Sequence, residues 1–432
     1  MVLIDEIYQI FKTSSGICTD TRKIEKNQLY FALKGEHFDG NKFVMDALAR
    51  GCIAAITDDQ EFPDKKGIIK VNNSLSTLQE LARYHRKQLK IPVLAITGSN
   101  GKTTTKELLY NVLSKKIRVL ATAGNFNNHI GVPLTLLRLK NEEFAIIEMG
   151  ANHLGEIDAL CRIAEPDYGI ITNIGKAHLE GFGSFEGVKK AKGELYAYLH
   201  EKKGTIFING SNDILTSIAN SLSVSKYSYV AGENVLCDGY VSQNGFFPEF
   251  MIKFMDGGNH FVQTRLSGSY NLENYLAAAC IGKFFKVKEQ DIIDALSSYQ
   301  PNNNRSELLK TTNNQLLLDA YNANPTSMKE SLSYFISLRH PDKMIILGDM
   351  LELGEYSQQE HKKILKYLSS HQDTKVYLIG NEFSSANAGF SFSTYQNTEA
   401  FIEHLHLNPV KDQLILLKGS RGLQLEKLIE VL

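Results

Sequence analysis

A lysine followed by three threonines, Lys102-Thr103-Thr104-Thr105, comes directly after the turn Gly98-Ser99-Asn100-Gly101. These types in this order suit the handling of phosphate. Glycines let backbone N–H groups turn inward, a helix starting at the lysine brings its positive dipole end, and the lysine adds mobile charge. Thr103, next to the lysine, is the usual place for a hydroxyl that binds Mg²⁺. The spacing is shorter than in the general phosphate loop: its first glycine would fall at Ile96, whereas here Gly98 and Gly101 are three apart. The elements that must position this turn are legible around it. Residues 93–97 form a short apolar, partly β-branched run that reads as a buried strand, and the pattern through Glu107, Leu108, Leu109 and Leu113 reads as a helix.

Similar alternation continues to about residue 300, with strands expected at 118–122, 144–149, 168–173 and 205–209. This suits a parallel sheet, whose ligand crevice lies at the carboxyl ends of its strands. Glu148, Asn173 and His178, at or just after strand ends, should therefore face the phosphate turn. Further on, 235–241, 249–254 and 260–266 read as antiparallel strands, followed by helices at 272–285 and 290–298.

Residues 1–90 read as a separate small α/β unit. It has strands at 28–33, 52–57 and 67–71, and helices at 2–11, 41–50 and 74–89, the last with Ser74 as its cap. Lys90-Ile91-Pro92 breaks the chain there, and Pro301-Asn302-Asn303-Asn304 is a polar, breaker-rich linker. From 303 to 432 a second α/β alternation follows. Its strands are expected at 315–319, 344–347, 375–379 and 413–418, and its helices at 326–337, 357–368, 398–405 and 423–431. Three domains, 1–90, 91–302 and 303–432, fit a chain of 432 residues, too long for one core.

The bulk composition excludes several classes. A hydrophobic fraction of 43% with 22% charged residues is that of a globular enzyme. The formal net charge of −1 gives no basis for a nucleic-acid or acidic-membrane partner, so an anionic ligand must be held by local chemistry. Five scattered cysteines without a CxxC pair argue against structural zinc and a disulfide framework, and fit a reducing cytoplasm. The first residues lack the basic flank and apolar run of a signal peptide, and no run is long enough to span a membrane. A monomer is expected.

Nine segments together carry a resemblance over nearly the whole chain: TDTR at 19–22, ITGSNGKTTTKELL at 96–109, GNFNNHIGVPLTLL at 124–137, EMGANHLGEI at 148–157, TNIGKAHLEGFGS at 172–184, AKGELY at 191–196, DAYNANPTSM at 319–328, LGDMLELGEYSQQEH at 347–361 and LKGSRG at 417–422. With these the chain resembles the Mur ligase family of peptidoglycan synthesis, and the short phosphate turn is that family's form. YNANP and GDMLELG resemble the branch that adds D-alanyl-D-alanine to a UDP-N-acetylmuramoyl tripeptide. The resemblance implies an N-terminal UDP-recognition domain, a central ATPase and a C-terminal Rossmann-like domain that closes over the nucleotide. It also implies ATP-driven amide synthesis in the cytoplasm through an acyl phosphate, with two Mg²⁺ ions.

Residue roles follow from that resemblance. Gly98, Ser99, Asn100, Gly101, Lys102, Thr103 and Thr104 would cradle the nucleotide phosphates, and Thr103 and Glu148 would ligate the bridging Mg²⁺. His178 matches the family's ligand for a second Mg²⁺, although imidazole is not a favoured ligand for that ion. Lys192 matches a lysine that CO₂ converts to a carbamate beside the second metal, with Lys189 and Lys190 expected to favour the neutral amine. Asn127 and Asn128 would lie near the metal and γ-phosphate, while Asn271 and Asn274 approach the adenine. Arg305 would reach the phosphates, and Asp319, Tyr321, Asn322 and Asn324 would line the nucleotide and the dipeptide's path. Asp20, Thr21 and Arg22 are the candidates for the UDP end. One departure is Asn304, where a glycine is expected before the arginine; Asn tolerates a left-handed backbone. Two rivals remain at this point: another amide ligase such as a folylpolyglutamate synthase, and a nucleotide-binding scaffold without catalysis. DAYNANP argues against the first, and the presence of Lys102, Glu148, His178 and Lys192 against the second.

Overall fold

A computed structural model describes residues 3–301, 305–371 and 374–432. Three sheets carry the chain. The first has four parallel strands in the order Ile17–Cys18, Leu29–Phe31, Ala54–Thr57 and Ile68–Lys70. The second has nine strands. Its parallel part runs Ser225–Tyr229, Thr205–Asn209, Tyr168–Ile171, Val93–Thr97, Phe144–Glu148 and Val119–Ala121 in spatial order. Val235–Gln243 extends it, parallel to Ser225–Tyr229, and Glu249–Phe254 and Asn259–Gln263 follow as antiparallel strands. The third sheet is parallel except for Glu307–Lys310, an antiparallel edge strand.

Val93–Thr97 lies deep in the second sheet, with all five residues buried and a parallel neighbour on each side. A strand covered on both faces must be apolar throughout, which is why its run is continuous rather than alternating. The helices Lys102–Leu113 and Leu272–Phe284 cover one face, and Phe185–Lys202 covers the other through Leu195 and Leu199.

Several elements differ from the sequence reading for identifiable reasons. The helix Ser74–Leu89 is capped by Asn73, not Ser74. Asn73 Oδ1 accepts from the Ser76 N–H at 2.8 Å, while Ser74 is already helical and buried. The expected helix at 423–431 is instead the 3₁₀ turns Arg421–Leu423 and Leu425–Glu430, separated by a left-handed Gln424. Leu425 and Leu428 are buried and three apart, the 3₁₀ repeat. Ser225–Tyr229 escaped notice because SKYSY has little apolar content, and only Ser228 and Tyr229 are buried. The short strands Ile17–Cys18, Glu307–Lys310 and Ser393–Tyr395 and the helix Asn381–Ala386 were likewise not foreseen. Val2 and the linker residues Asn302, Asn303 and Asn304, with the hinge expectation placed on Asn304, lie outside the described residues.

Candidate active site

The phosphate turn sits at the carboxyl end of Val93–Thr97 and is held from the neighbouring strand. The Ser99 N–H donates to the Asn173 carbonyl at 3.0 Å, and the Asn100 N–H to Asn173 Oδ1 at 2.9 Å. Thr172 Oγ1 donates to the Asn100 carbonyl at 2.5 Å. Both glycines are required here. Gly98 has φ +146° and a Cβ would meet Thr172 Oγ1 at 2.0 Å; Gly101 has φ +77° and a Cβ would meet Asn274 Oδ1 at 2.5 Å. Gly101 is also the N-cap of Lys102–Leu113, and no side chain caps that helix. Its first N–H groups are therefore available to an anion.

Charged groups gather around this turn. Lys102 folds back so that its ammonium donates to the Gly98 carbonyl at 2.6 Å and the Ser99 carbonyl at 3.3 Å. Burial pushes its pKa down to about 8; Glu148 counters this and Arg305 adds to it. Glu148, 2% exposed, accepts from Thr103 Oγ1 at 3.0 Å through one oxygen and from Asn127 Nδ2 at 2.9 Å through the other. The buried Lys106 ammonium lies 3.7 Å from the first oxygen. Thr103 and Glu148 thus converge beside the uncapped helix end. No group of three His, Cys, Asp or Glu side chains forms a metal cage among the described residues. The pair fits Mg²⁺ all the same, because that ion takes one or two protein oxygens and fills its octahedron with phosphate and water.

His178 has a left-handed backbone, φ +52°, and its Nδ1 lies against the Glu352 carboxylate. Lys192 is 1% exposed, on the buried face of Phe185–Lys202, with its ammonium 5.4 Å from the Phe182 ring centroid. Its pKa falls to about 7, first through burial and then through Lys102. This corrects the expectation about its neighbours: Lys189 pairs with Glu186 on the surface, and desolvation depresses the amine.

The third domain supplies another wall. The Arg305 guanidinium stacks on Tyr321 at 3.7 Å, its Nε buried without a partner, and Arg421 lies 5.6 Å from the same ring. Asp319 pairs with the buried Lys418 at 2.5 Å. Asn324 caps Pro325–Ser337 in a capping box and donates through Nδ2 to Asn100 Oδ1 at 2.7 Å, joining the third domain to the phosphate turn. Asn322 is exposed, with its side-chain oxygen accepting from the Ala323 N–H. Asn274 bridges Thr105 and Asn271, and Asn271 holds the Ser267 carbonyl. Asn128 spends its side-chain oxygen on the N–H groups of Ile130 and Gly131.

Most of these residues surround a cleft of about 1200 Å³, whose lining includes Gln79, Lys102, Glu148, His178, Tyr321 and Arg421. Lys192, Thr103 and Gly98 lie behind its surface. Asp20, Thr21 and Arg22 are not part of it. Asp20 caps the turn Thr21–Lys23 and holds the exposed Arg22 at 2.8 Å. Lys106, Glu352, Lys418 and Arg421 were not singled out from sequence. Lys106 could have been, since it follows Lys102 by four residues on one helix face; the others depend on how the third domain docks.

Comparison with known proteins gives concordant matches. The Mur ligase middle domain model matches residues 96–282, the Mur ligase glutamate ligase domain model 304–421, and the Mur ligase family catalytic domain model 13–95. A Bacillus subtilis UDP-N-acetylmuramoyl-tripeptide–D-alanyl-D-alanine ligase is 38% identical, with 96% of this chain and 92% of the relative covered. The Escherichia coli protein of the same name is 34% identical, covering 97% and 94%. Among solved structures, MurF from Acinetobacter baumannii is similar at TM-score 0.86 and 31% identity, covering 98% and 97%. MurF ligase from Thermotoga maritima in complex with ADP is similar at TM-score 0.85 and 26% identity, with the same coverage.

Proposed function

The chain belongs to the Mur ligase family, and from that premise we infer that it is the ATP-dependent ligase joining D-alanyl-D-alanine to the terminal carboxylate of a UDP-N-acetylmuramoyl tripeptide. The observation that carries this reading is an uncapped phosphate-binding turn beside the Thr103–Glu148 pair, in a cleft that one chain walls from three domains. The full-length likeness to ligases of that name supplies the substrates.

A carboxylate is a poor electrophile, so ATP must first convert it to an acyl phosphate, releasing ADP. The dipeptide amine then attacks the acyl carbon and phosphate leaves with the oxygen, forming the new amide. The protein's task is to align an anion with a polyanion and to neutralise charge as it develops. The Gly98–Gly101 turn and the first N–H groups of Lys102–Leu113 hold the phosphates. Lys102 leaves its two carbonyls to reach the β- and γ-oxygens. Thr103 and Glu148 would hold a Mg²⁺, with Asn127 fixing the Glu148 carboxylate; bound there, the ion would neutralise phosphate charge. Arg305 and Arg421, carried in on Tyr321, add charge from the third domain, and Asn324 registers that domain against Asn100. Asn271 and Asn274 support the adenine side, Asp319 and Asn322 the remaining nucleotide and dipeptide path, and Asn128 the γ-phosphate side.

His178 and Lys192 are assigned to a second Mg²⁺. A buried amine with a pKa near 7 and no ion pair among the described residues is the form of lysine that can add to CO₂ and release a proton, and this supports carbamylation of Lys192. Asp20, Thr21 and Arg22 are assigned to the UDP end, where Arg22 would exchange Asp20 for a pyrophosphate. Soluble nucleotide reactants support a cytoplasmic location, and no described helix is long and apolar enough to cross a membrane.

Phosphate release is the test, with ATP, Mg²⁺, the UDP-muramoyl tripeptide and D-alanyl-D-alanine each omitted in turn. Release that needs all four, with one new amide by mass, is the expected result. No release from folded protein that still binds ATP would reject the reading.

A further inference from the structure

The GDMLELGEYSQQEH segment reaches out of the third domain onto the central one, and its contacts converge on a single histidine. Glu352 lies in the turn after the strand Lys343–Gly348, with a left-handed backbone at φ +62°. A non-glycine residue holds that conformation only where its surroundings fix it. Here the fixing is explicit. The Met350 N–H donates to His361 Nε2 at 3.0 Å, and the Leu351 N–H to Ser420 Oγ at 2.9 Å. His361 is itself fully buried and held through Nδ1 by the Ser357 carbonyl at 2.8 Å.

From this anchored turn Glu352 grips the loop 176–183 twice. Its carbonyl accepts from the Glu180 N–H at 3.1 Å, and its carboxylate meets Nδ1 of His178. Two neighbouring contacts keep the same surfaces together: Lys176 pairs with the buried Glu360 at 2.8 Å, and the Tyr356 hydroxyl donates to the Gly183 carbonyl at 3.3 Å. His178 is thus reached by a carboxylate that its own domain does not supply.

A carboxylate on Nδ1 settles the imidazole. With its proton on Nδ1, the nitrogen that faces the Glu352 carboxylate, the ring keeps its lone pair on Nε2. No hydrogen bond engages Nε2 among the described residues, and His178 lines the cleft. We propose that Glu352 is a positioning residue that fixes the tautomer and orientation of His178, so that the ring offers Nε2 to a divalent cation only when the third domain is docked. The inference rests on the reading of His178 as a metal ligand. It goes further by making that ligand conditional on domain closure, through a carboxylate that the third domain supplies.

The test uses Mn²⁺ as the probe, titrated onto the full chain with a non-hydrolysable ATP analogue and counted by electron paramagnetic resonance. Small-angle scattering follows closure in parallel. In the native protein two Mn²⁺ are expected. Glu352→Ala and His178→Ala should each weaken one of them by about 10–100-fold and leave the other unchanged. The double variant should be no weaker than His178→Ala alone. Glu360→Gln is the control for interface packing, since it removes an interdomain ion pair away from His178; with scattering showing the domains still docked, its Mn²⁺ affinities should stay within about twofold of native.

Equal weakening by Glu360→Gln and Glu352→Ala while scattering shows both variants closed would overturn the proposal, reducing Glu352 to interdomain adhesion. So would a Glu352→Ala protein that keeps both sites while His178→Ala loses one. Retention of both sites in His178→Ala would overturn the proposal by removing its premise. Failure of the ligase assay with the Mn²⁺ pattern intact would reject the assigned reaction and leave the Glu352–His178 coupling standing.

Discussion

The two ends of the central sheet treat charge in opposite ways. At the amino ends of its strands the charges come largely in opposite pairs. Arg86, reaching over from the first domain, donates to Asp167 at 2.9 Å, and Asp167 also accepts from the first N–H of Val93–Thr97 at 2.8 Å. Arg83 and Lys87 share Glu165, and Arg118 pairs with Glu143. At the carboxyl ends Lys106 still pairs with Glu148, but three other cations have no carboxylate in contact among the described residues. Lys102 rests on backbone carbonyls, Lys192 on a ring face, and Arg305 on Tyr321 with its Nε unsatisfied. Burying an unpaired charge is costly, and such an arrangement persists where function demands it. The paired end braces the fold, and the unpaired end waits for an anion from outside. The chain's net charge of −1 hides this division, because it sums over both ends.

The sharpest way to break the comparison is to remove one charge from each end. Lys102→Ala should lower kcat/KM for phosphate release by at least about 10³-fold, as expected when a donor to the developing charge is lost. Its urea midpoint without nucleotide should stay the same or rise, because a desolvated amine is removed. Arg86→Ala should do the reverse. It strands the Ala164 and Glu165 carbonyls and half of Asp167, costing about 2 kcal/mol of stability, while kcat/KM stays within about twofold. A Lys102 variant that unfolds, or an Arg86 variant that folds well but fails in catalysis, would erase the distinction.

How much of this was legible in the sequence follows the same division. The phosphate turn, Glu148 and Asn173 were readable because strand, turn and helix are contiguous and each strand end is marked by a polar residue after an apolar run. The first and third sheets were readable in outline for the same reason. The burial of Lys192 was not: VKKAKGELY has lysines on several sides of one helix, and only packing against Phe182 and the sheet decides which is inside. Glu352 and Arg421 were beyond local reading, since both act on other segments through the docking of the third domain. Asn73 as the cap was readable but missed, because Ser and Asn stand side by side and only backbone geometry separates them.

Asn324 sits where the unpaired end meets the third domain, and its removal should have a mixed effect. Asn324→Ala breaks both the capping box of Pro325–Ser337 and the Asn100 contact. A loss of about 1 kcal/mol in stability is expected from the cap alone. Asn324→Ser keeps a capping hydroxyl but cannot reach Asn100, so it should restore stability without restoring kcat/KM. Recovery of both by serine would place Asn324 with the bracing residues and blur the comparison at its boundary.

The smallest expected effect comes from Glu289, on the helix that follows Phe285, whose ring packs on the strand-start residues Phe144 and Tyr168. Burial pushes the Glu289 carboxyl up, but Lys283, the Gly258 N–H and His260 outweigh it and hold the group down at about 2, from an ordinary 4.5. A carboxylate depressed in the folded state binds fewer protons there than in the unfolded chain. Its contribution is therefore complete above pH 4.5 and is lost as pH falls towards 2. The site is near the surface, so solvent screening limits the contribution to about 1 kcal/mol. Glu289→Gln should accordingly lower the urea midpoint slightly at pH 7, with the gap to the native protein closing below pH 4.5. Turnover at pH 7 should be unchanged, because this pair belongs to the end of the sheet where charges answer one another. A gap that widens in acid would reverse the sign of the linkage and show that Glu289 is held protonated in the fold.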